Sequence, residues 1–231
     1  MKIAAITYYR FDADYLDDYR ANLADLCDEF VMIEDTEGRF MHDEARYRTH
    51  SYDVARGVGA DWAVVLDPDE RIETRAIPRL RRTLATAWAG NRRQMFQLNY
   101  RELYTPRQYR TDGIWGAKRR IVIFPLLDGN VYSEATLHMP KHPQNPDYTV
   151  VDVDINVYHL KHIRPELREQ RRNLYERLDP SHAFQAVGYE YLTDEQGIRL
   201  KTIAPWRMYR PPYRDYRIDD GIFQQAGDPG L

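Results

Sequence analysis

The sequence predicts an α/β fold: a mostly parallel central sheet flanked by helices, followed by a half built on a mixed sheet. Three observations carry this. In the first ninety residues, strand-like apolar runs alternate with helically spaced apolar residues three times. That order builds a parallel sheet with helices on its faces. Acidic residues gather where each of the three strand-like runs ends, and the carboxyl edge of such a sheet is where ligands bind. Beyond residue 90 the strand-like runs follow one another differently, with a polar segment between the first two.

The elements follow in order. Lys2–Tyr9, KIAAITYY, is an apolar run of the kind a buried strand requires. Tyr15, Leu16, Tyr19, Leu23, Leu26 and Cys27 then recur at helical spacing. Phe30–Ile33 forms the second strand and ends in Glu34 and Asp35. Asp43–Val58 reads as a helix with Ala45, Tyr52, Ala55 and Val58 toward the core, stopped by Gly57 and Gly59. Trp62–Leu66 is the third strand, and Pro78–Trp88 is a helix with Leu80, Leu84, Ala87 and Trp88 as its stripe. MFQLNYREL and RRIVIFPLL read as strands on either side of a polar segment holding Tyr104, Tyr109 and Trp115. VVDVDINVYHLKH alternates as a half-buried strand does. Pro165 opens a helix carrying Leu167, Leu174 and Leu178, and Pro180 opens another carrying Phe184, Val187 and Tyr191. The expected organisation is one domain over 1–196, in halves 1–90 and 91–196, with an aromatic, basic tail or strap over 197–231.

Composition narrows the class. A chain of 231 residues with 18 Tyr and 4 Trp buries a sizeable core. The one cysteine, Cys27, forms no internal disulfide and sits on an apolar helical pattern, so a reducing, cytoplasmic setting is expected. No apolar run is long enough to span a membrane. Charge is unevenly spread: residues 1–74 hold 8 basic and 18 acidic side chains, whereas residues 75–120 hold 12 basic and 2 acidic. The basic stretch is either a phosphate-facing surface or an ordinary solvated one.

The stretch AVVLDPDERIE concentrates the acids. Asp67, Asp69 and Glu70 follow an apolar strand, and Pro68 ends it. Two carboxylates that close repel each other unless a cation or a donor lies between them. Mg²⁺ or Mn²⁺ suits such oxygen ligands. Capping of the next helix explains one of the three acids and poorly explains all of them.

With AITYYR at the start, FVMIEDTE on the second strand, GADWAVVLDPDERI on the third and VYSEATLH and VYHLKH later, the chain over residues 1–162 resembles glycosyltransferases of the family-2 type with the GT-A fold. The resemblance implies a divalent ion held by a D-x-D motif against the diphosphate of a nucleotide sugar, with a UDP-sugar as the first donor to consider. It makes Asp69 the main metal ligand and puts Asp67 on the ribose or metal side. Glu34 or Asp35 would lie by base and ribose, and the backbone of Thr7, Tyr8 and Tyr9 would line the nucleotide cleft. His159, with His162 second, fits the late histidine that family members supply to the metal. Residues 1–90 become the nucleotide-binding half, and 91–196 the acceptor and metal half. The chain departs from the family at EDTEGRF, where Asn/Asp-Gly-Ser is usual, and at Ser133-Glu134, where His-Glu is usual.

Inverting transfer needs a base for the acceptor hydroxyl and a cation for the leaving diphosphate. Glu134 is the expected base and Glu70 its rival. Arg119, Arg120 and Lys118 can pair with phosphate oxygens. Trp115, Tyr104 and Tyr109 can shape an acceptor site. A nucleic acid acceptor is one expectation, through 75–120 and through 199–217, where six basic residues interleave with Trp206, Tyr209, Tyr213 and Tyr216. Saccharide, lipid-linked and small-molecule acceptors are the others. A nucleotidyltransferase, or a non-catalytic nucleic acid or glycan-binding module, are the competing functions.

Overall fold

The computed structural model describes residues 1–38, 40, 43–135 and 140–217. Residues 218–231 of the tail, 136–138 of VYSEATLH and 39 within EDTEGRF lie outside the described residues. Strand β1 (Ile3–Tyr9) pairs in parallel with β2 (Glu29–Glu34) on one side and with β3 (Trp62–Val65) on the other. Its side chains alternate between two cores, as strand geometry dictates. Ile3 and Ala5 pack in a cluster with Tyr19 and Leu23 of α1 (Leu16–Leu23) and Leu80 and Leu84 of α3 (Ile77–Ala89). Ala4 and Ile6 join Tyr52 and Ala55 of α2 (Glu44–Gly57) and Phe124. Asp43 caps α2 by accepting the Arg46 N–H at 3.3 Å, which satisfies one orphan donor of the first turn.

The central sheet is mixed, which corrects the mostly parallel sheet expected from the sequence. Strand β7 (Arg119–Pro125) lies antiparallel between β3 and β5 (Gln94–Thr105). Strand β5 pairs in parallel with β8 (Thr149–His159), and β4 (Glu70–Ile72) pairs antiparallel with β8. A short β6 (Gln108–Arg110) joins β5 to β9 (Leu200–Thr202), antiparallel to both. The cause lies in the connections. The chain returns from β5 through β6 and the single turn α4 (Gly113–Gly116), too little for a helical crossover, so β7 lies alongside β5 in the opposite direction. Apolar periodicity reports that a strand is buried, not which way its neighbours run.

The helix expected from Pro180 does not form. The Asp179 carboxylate accepts the N–H groups of Ala183, Phe184 and Gln185 at 2.7, 3.1 and 3.2 Å, and the Tyr189 hydroxyl at 2.9 Å. These bonds hold the segment in turns, and Phe184 and Val187 stay exposed. The preceding helix, α5 (Pro165–Leu178), does form, with Leu167 buried. The tail runs back over α1: Tyr216 stacks on Tyr15 with ring centroids 3.9 Å apart, and Arg214 pairs with Asp14 and Asp18. No helix among the described residues is long and apolar enough to cross a membrane.

Candidate functional site

The acidic loop is fixed by sheet register. Strand β3 ends at Val65, and the chain turns through residues 67–69 so that Glu70 enters β4 opposite His159 of β8. On the other side of β8, Glu102 of β5 is the register partner of the same His159. Arg71 locks the turn from beneath. It is fully buried, and its guanidinium donates to the carbonyls of Pro68 at 2.5 Å, Glu70 at 2.9 Å and Tyr15 at 3.1 Å.

The three acids of the loop have different surroundings. Asp67 stands at the rim, with Lys141 Nζ 2.8 Å and Arg48 Nη2 4.0 Å from its Oδ1. Burial pushes its pKa up, but Lys141 and Arg48 outweigh that and hold it well below the usual carboxylate range. Glu70 is fully buried with both oxygens engaged: Oε1 accepts the Tyr100 hydroxyl and Oε2 accepts the Asp67 N–H at 2.9 Å. Asp69 is 2% exposed, and its Oδ2 lies 3.0 Å from His159 Nε2. Oδ2 is buried and makes no well-formed hydrogen bond among the described residues, with the His159 ring as its close neighbour. Burial raises the Asp69 pKa, while His159 and Lys161 hold it far below the usual range.

Behind Asp69 lies a buried group of Glu102, His159 and His162, whose ligating atoms all fall within 4.8 Å of one another. This set can hold a divalent metal ion. His159 Nδ1 is 2.5 Å from Glu102 Oε2. Burial pulls the His159 pKa down, but Glu102 and Asp69 outweigh it and raise it to about 9. His162 Nε2 is 3.9 Å from Glu102, its ring sits edge-on to Trp115, and burial drives its pKa well below the ordinary value. Lys118 bonds the other Glu102 oxygen at 2.5 Å. Arg171 of α5 brings Nη1 to 3.4 Å from His159 Nε2, while its Nε and Nη2 face the Tyr175 hydroxyl.

The structure brings Asp67, Asp69, Glu70, Lys118, Arg120, His159 and His162 to one place, but not every expected residue. Arg120 lies over the Tyr100 ring at 4.1 Å and 3.7 Å from Glu70. Its neighbour Arg119 points to the opposite face of the strand and pairs with Asp152 at 3.0 Å. Thr7 is buried in β1. Tyr8 packs against Phe40 and Tyr47, with ring centroids 5.1 and 5.7 Å away, and burial lifts its hydroxyl pKa to about 12. Tyr9 is the register partner of Glu34, which is exposed. Asp35 is buried and accepts the Phe40 N–H at 3.1 Å. Glu134 is exposed on the segment after β7. Trp115 is buried against His162, and Tyr109 lies under Arg101, 5.2 Å from its ring. Tyr104 bonds Glu195.

Glu102, Lys141, Arg48 and Arg171 escape sequence reasoning, because no motif surrounds them and only the tertiary fold brings them to the loop; Arg71 stands inside DPDERIE but nothing in the sequence marks it as buried. Many of the basic residues are neutralised inside the fold. Arg81 pairs with Asp28, Arg93 with Asp147, Arg110 with Asp112 and Arg207 with Glu73, at 2.6, 2.9, 2.6 and 2.8 Å.

No protein-family model matches the chain, and no curated protein matches it in sequence. Among solved structures, S. aureus TarS is similar with a TM-score of 0.46 and 10% identity, over 78% of this chain and 40% of that one. The chain therefore spans less than half of TarS, and a likeness this remote leaves the chemistry to the residues themselves.

Proposed function

We propose that the protein transfers a sugar from a nucleotide-sugar donor to an acceptor hydroxyl with the aid of a divalent cation, Mn²⁺ or Mg²⁺. One observation carries the reading. Asp69 Oδ2 and His159 Nε2 stand 3.0 Å apart, both residues are buried, and the carboxylate oxygen lacks a hydrogen-bond partner among the described residues. Two ligands about 2.1 Å from an octahedral ion, at right angles, stand about 3.0 Å apart. The spacing and the donor types both fit a cation there.

When bound, the ion would offset charge growing on the leaving diphosphate. The remaining work belongs to the chain. Asp69 and His159 would hold the ion, and Asp67 at the rim would meet the ribose or the metal side. Lys141, Arg48 and Arg120 supply positive charge around the loop. Tyr8, Phe40 and Tyr47 offer an aromatic wall for the base beside Asp35, with the backbone of Thr7–Tyr9 as its floor. Glu134 takes the role of base because its side chain is exposed, whereas Glu70 spends both oxygens within the loop. The ion pairs that neutralise much of the basic stretch favour a saccharide or small-molecule acceptor over a nucleic acid.

Calorimetric titration of nucleoside diphosphates, with and without Mn²⁺, tests this on the wild type and Asp69→Ala. Metal-dependent binding of one diphosphate, lost in the variant, is expected. A folded wild type that binds no diphosphate in either condition would sink the reading.

A further inference from the structure

We propose that Glu102 is a positioning residue for the cation site: its carboxylate accepts the Nδ1–H of His159 and so aims Nε2 at Asp69, where a cation would bind. The inference rests on the reading of Asp69 and His159 as metal ligands.

Four observations converge on it. Glu102 and His159 are register partners on β5 and β8, so the sheet itself fixes their backbones next to each other. Their contact is 2.5 Å from Nδ1 to Oε2. Two ligands of one octahedral ion at right angles stand about 3.0 Å apart, so the shorter separation fits a charge-assisted hydrogen bond and not a shared ion. The other carboxylate oxygen is taken by Lys118 at 2.5 Å, and Lys118 is itself held over the rings of Tyr100 and Trp115 at 4.8 and 5.1 Å. A metal ion on Glu102 would have to share that carboxylate with an ammonium group, and like charges repel there. On the opposite edge of the imidazole, Nε2 faces Asp69 at 3.0 Å and Arg171 at 3.4 Å, so it is the nitrogen that a cation beside Asp69 would meet.

The arrangement is a carboxylate behind a histidine in front of a metal. A ligating imidazole held in this way keeps one tautomer and one ring orientation. His162 then has a different part. It packs against the His159 ring with centroids 5.2 Å apart, 3.9 Å from Oε2 and edge-on to Trp115, and shields the carboxylate without ligating.

The test compares Mn²⁺ affinity, read from the electron paramagnetic resonance of the free ion, across Glu102→Gln, Glu102→Asp, His159→Ala, Asp69→Asn and His162→Ala. Thermal unfolding of each variant reports that it is folded. Glu102→Gln is expected to weaken Mn²⁺ binding ~10–100-fold, Glu102→Asp less, and His162→Ala by no more than ~3-fold. Nitrogen-15 and proton spectra of the wild type should show a strongly hydrogen-bonded proton on His159 Nδ1, and Glu102→Gln should weaken that bond. A His162→Ala loss as large as that of His159→Ala would overturn the proposal, because Glu102 would then be a ligand in a three-residue site. Unchanged affinity in folded Glu102→Gln would overturn it too. The donor reading fails separately: if the wild type binds Mn²⁺ in the expected pattern yet no nucleoside diphosphate, the role of Glu102 stands and the transferase does not. A wild type that binds no divalent ion removes both.

Discussion

Arg71 shows most directly how one residue shapes the acidic loop. It is fully buried, makes no ion pair among the described residues, and donates to the carbonyls of Pro68, Glu70 and Tyr15. By tying these carbonyls together it shapes the turn that carries the acids. Replacing it with methionine keeps the volume and strands those carbonyls. Each buried group left unsatisfied costs about 1–3 kcal/mol, so Arg71→Met should lower the unfolding free energy in urea by at least that much. A variant as stable as the wild type would show that water or relaxation replaces the guanidinium. At this scale the sequence was informative where several acids stood together, as in DPDE. It was silent on Glu102, a single acid inside a strand. Arg119 and Arg120 illustrate the limit: both precede the same apolar run, but strand parity sends one to Asp152 and the other to Glu70.

Asp28 shows how elements are tied together. It lies just before β2, accepts the Ile3 N–H of β1 at 2.9 Å and pairs with Arg81 of α3 at 2.6 Å. Partial burial raises its pKa, but the Arg81 bond and the Ile3 N–H outweigh this and lower it below the usual 3.8. A carboxyl whose folded pKa is depressed stabilises the fold above its unfolded pKa and loses that contribution as pH falls through the folded one. Asp28→Asn should therefore reduce stability at pH 7, and the gap to the wild type should close as the pH falls below about 4. Urea titrations at both ends check this, and a gap independent of pH would refute it. The long elements were legible: α2 and α3 begin and end within two residues of their expected bounds, because caps and apolar spacing mark them. The three-residue strands β4, β6 and β9 were not, because so short a run has no period to read.

Across the whole molecule, the uneven charge of the sequence is largely resolved by folding. Acids of the first segment meet bases of the middle and the tail, as in Asp28 with Arg81, Glu73 with Arg207, and Asp14 with Arg214. The strap over α1 nevertheless owes more to aromatic packing than to charge. Tyr216 is 2% exposed and stacks on Tyr15, whereas the Arg214 side chain is 44% exposed. Truncating a buried aromatic costs about 3–5 kcal/mol, and an exposed ion pair is worth about 0–1 kcal/mol. Tyr216→Ala should thus lower the thermal midpoint clearly, with Arg214→Ala close to wild type. The reverse order would show that the ion pairs hold the strap.

By itself the sequence determined that a parallel strand–helix–strand arrangement opens the chain and that carboxylates crowd the end of its third strand. Both are local properties, carried by apolar spacing, proline and charge within a few residues. Tertiary structure alone decided that the sheet is mixed, that Glu102 and Glu70 flank His159 across β8, and that the Asp69 carboxylate is buried 3.0 Å from the His159 ring. Pairings between strands far apart in the chain depend on how connections return, and a sequence read residue by residue contains no distance between its ends.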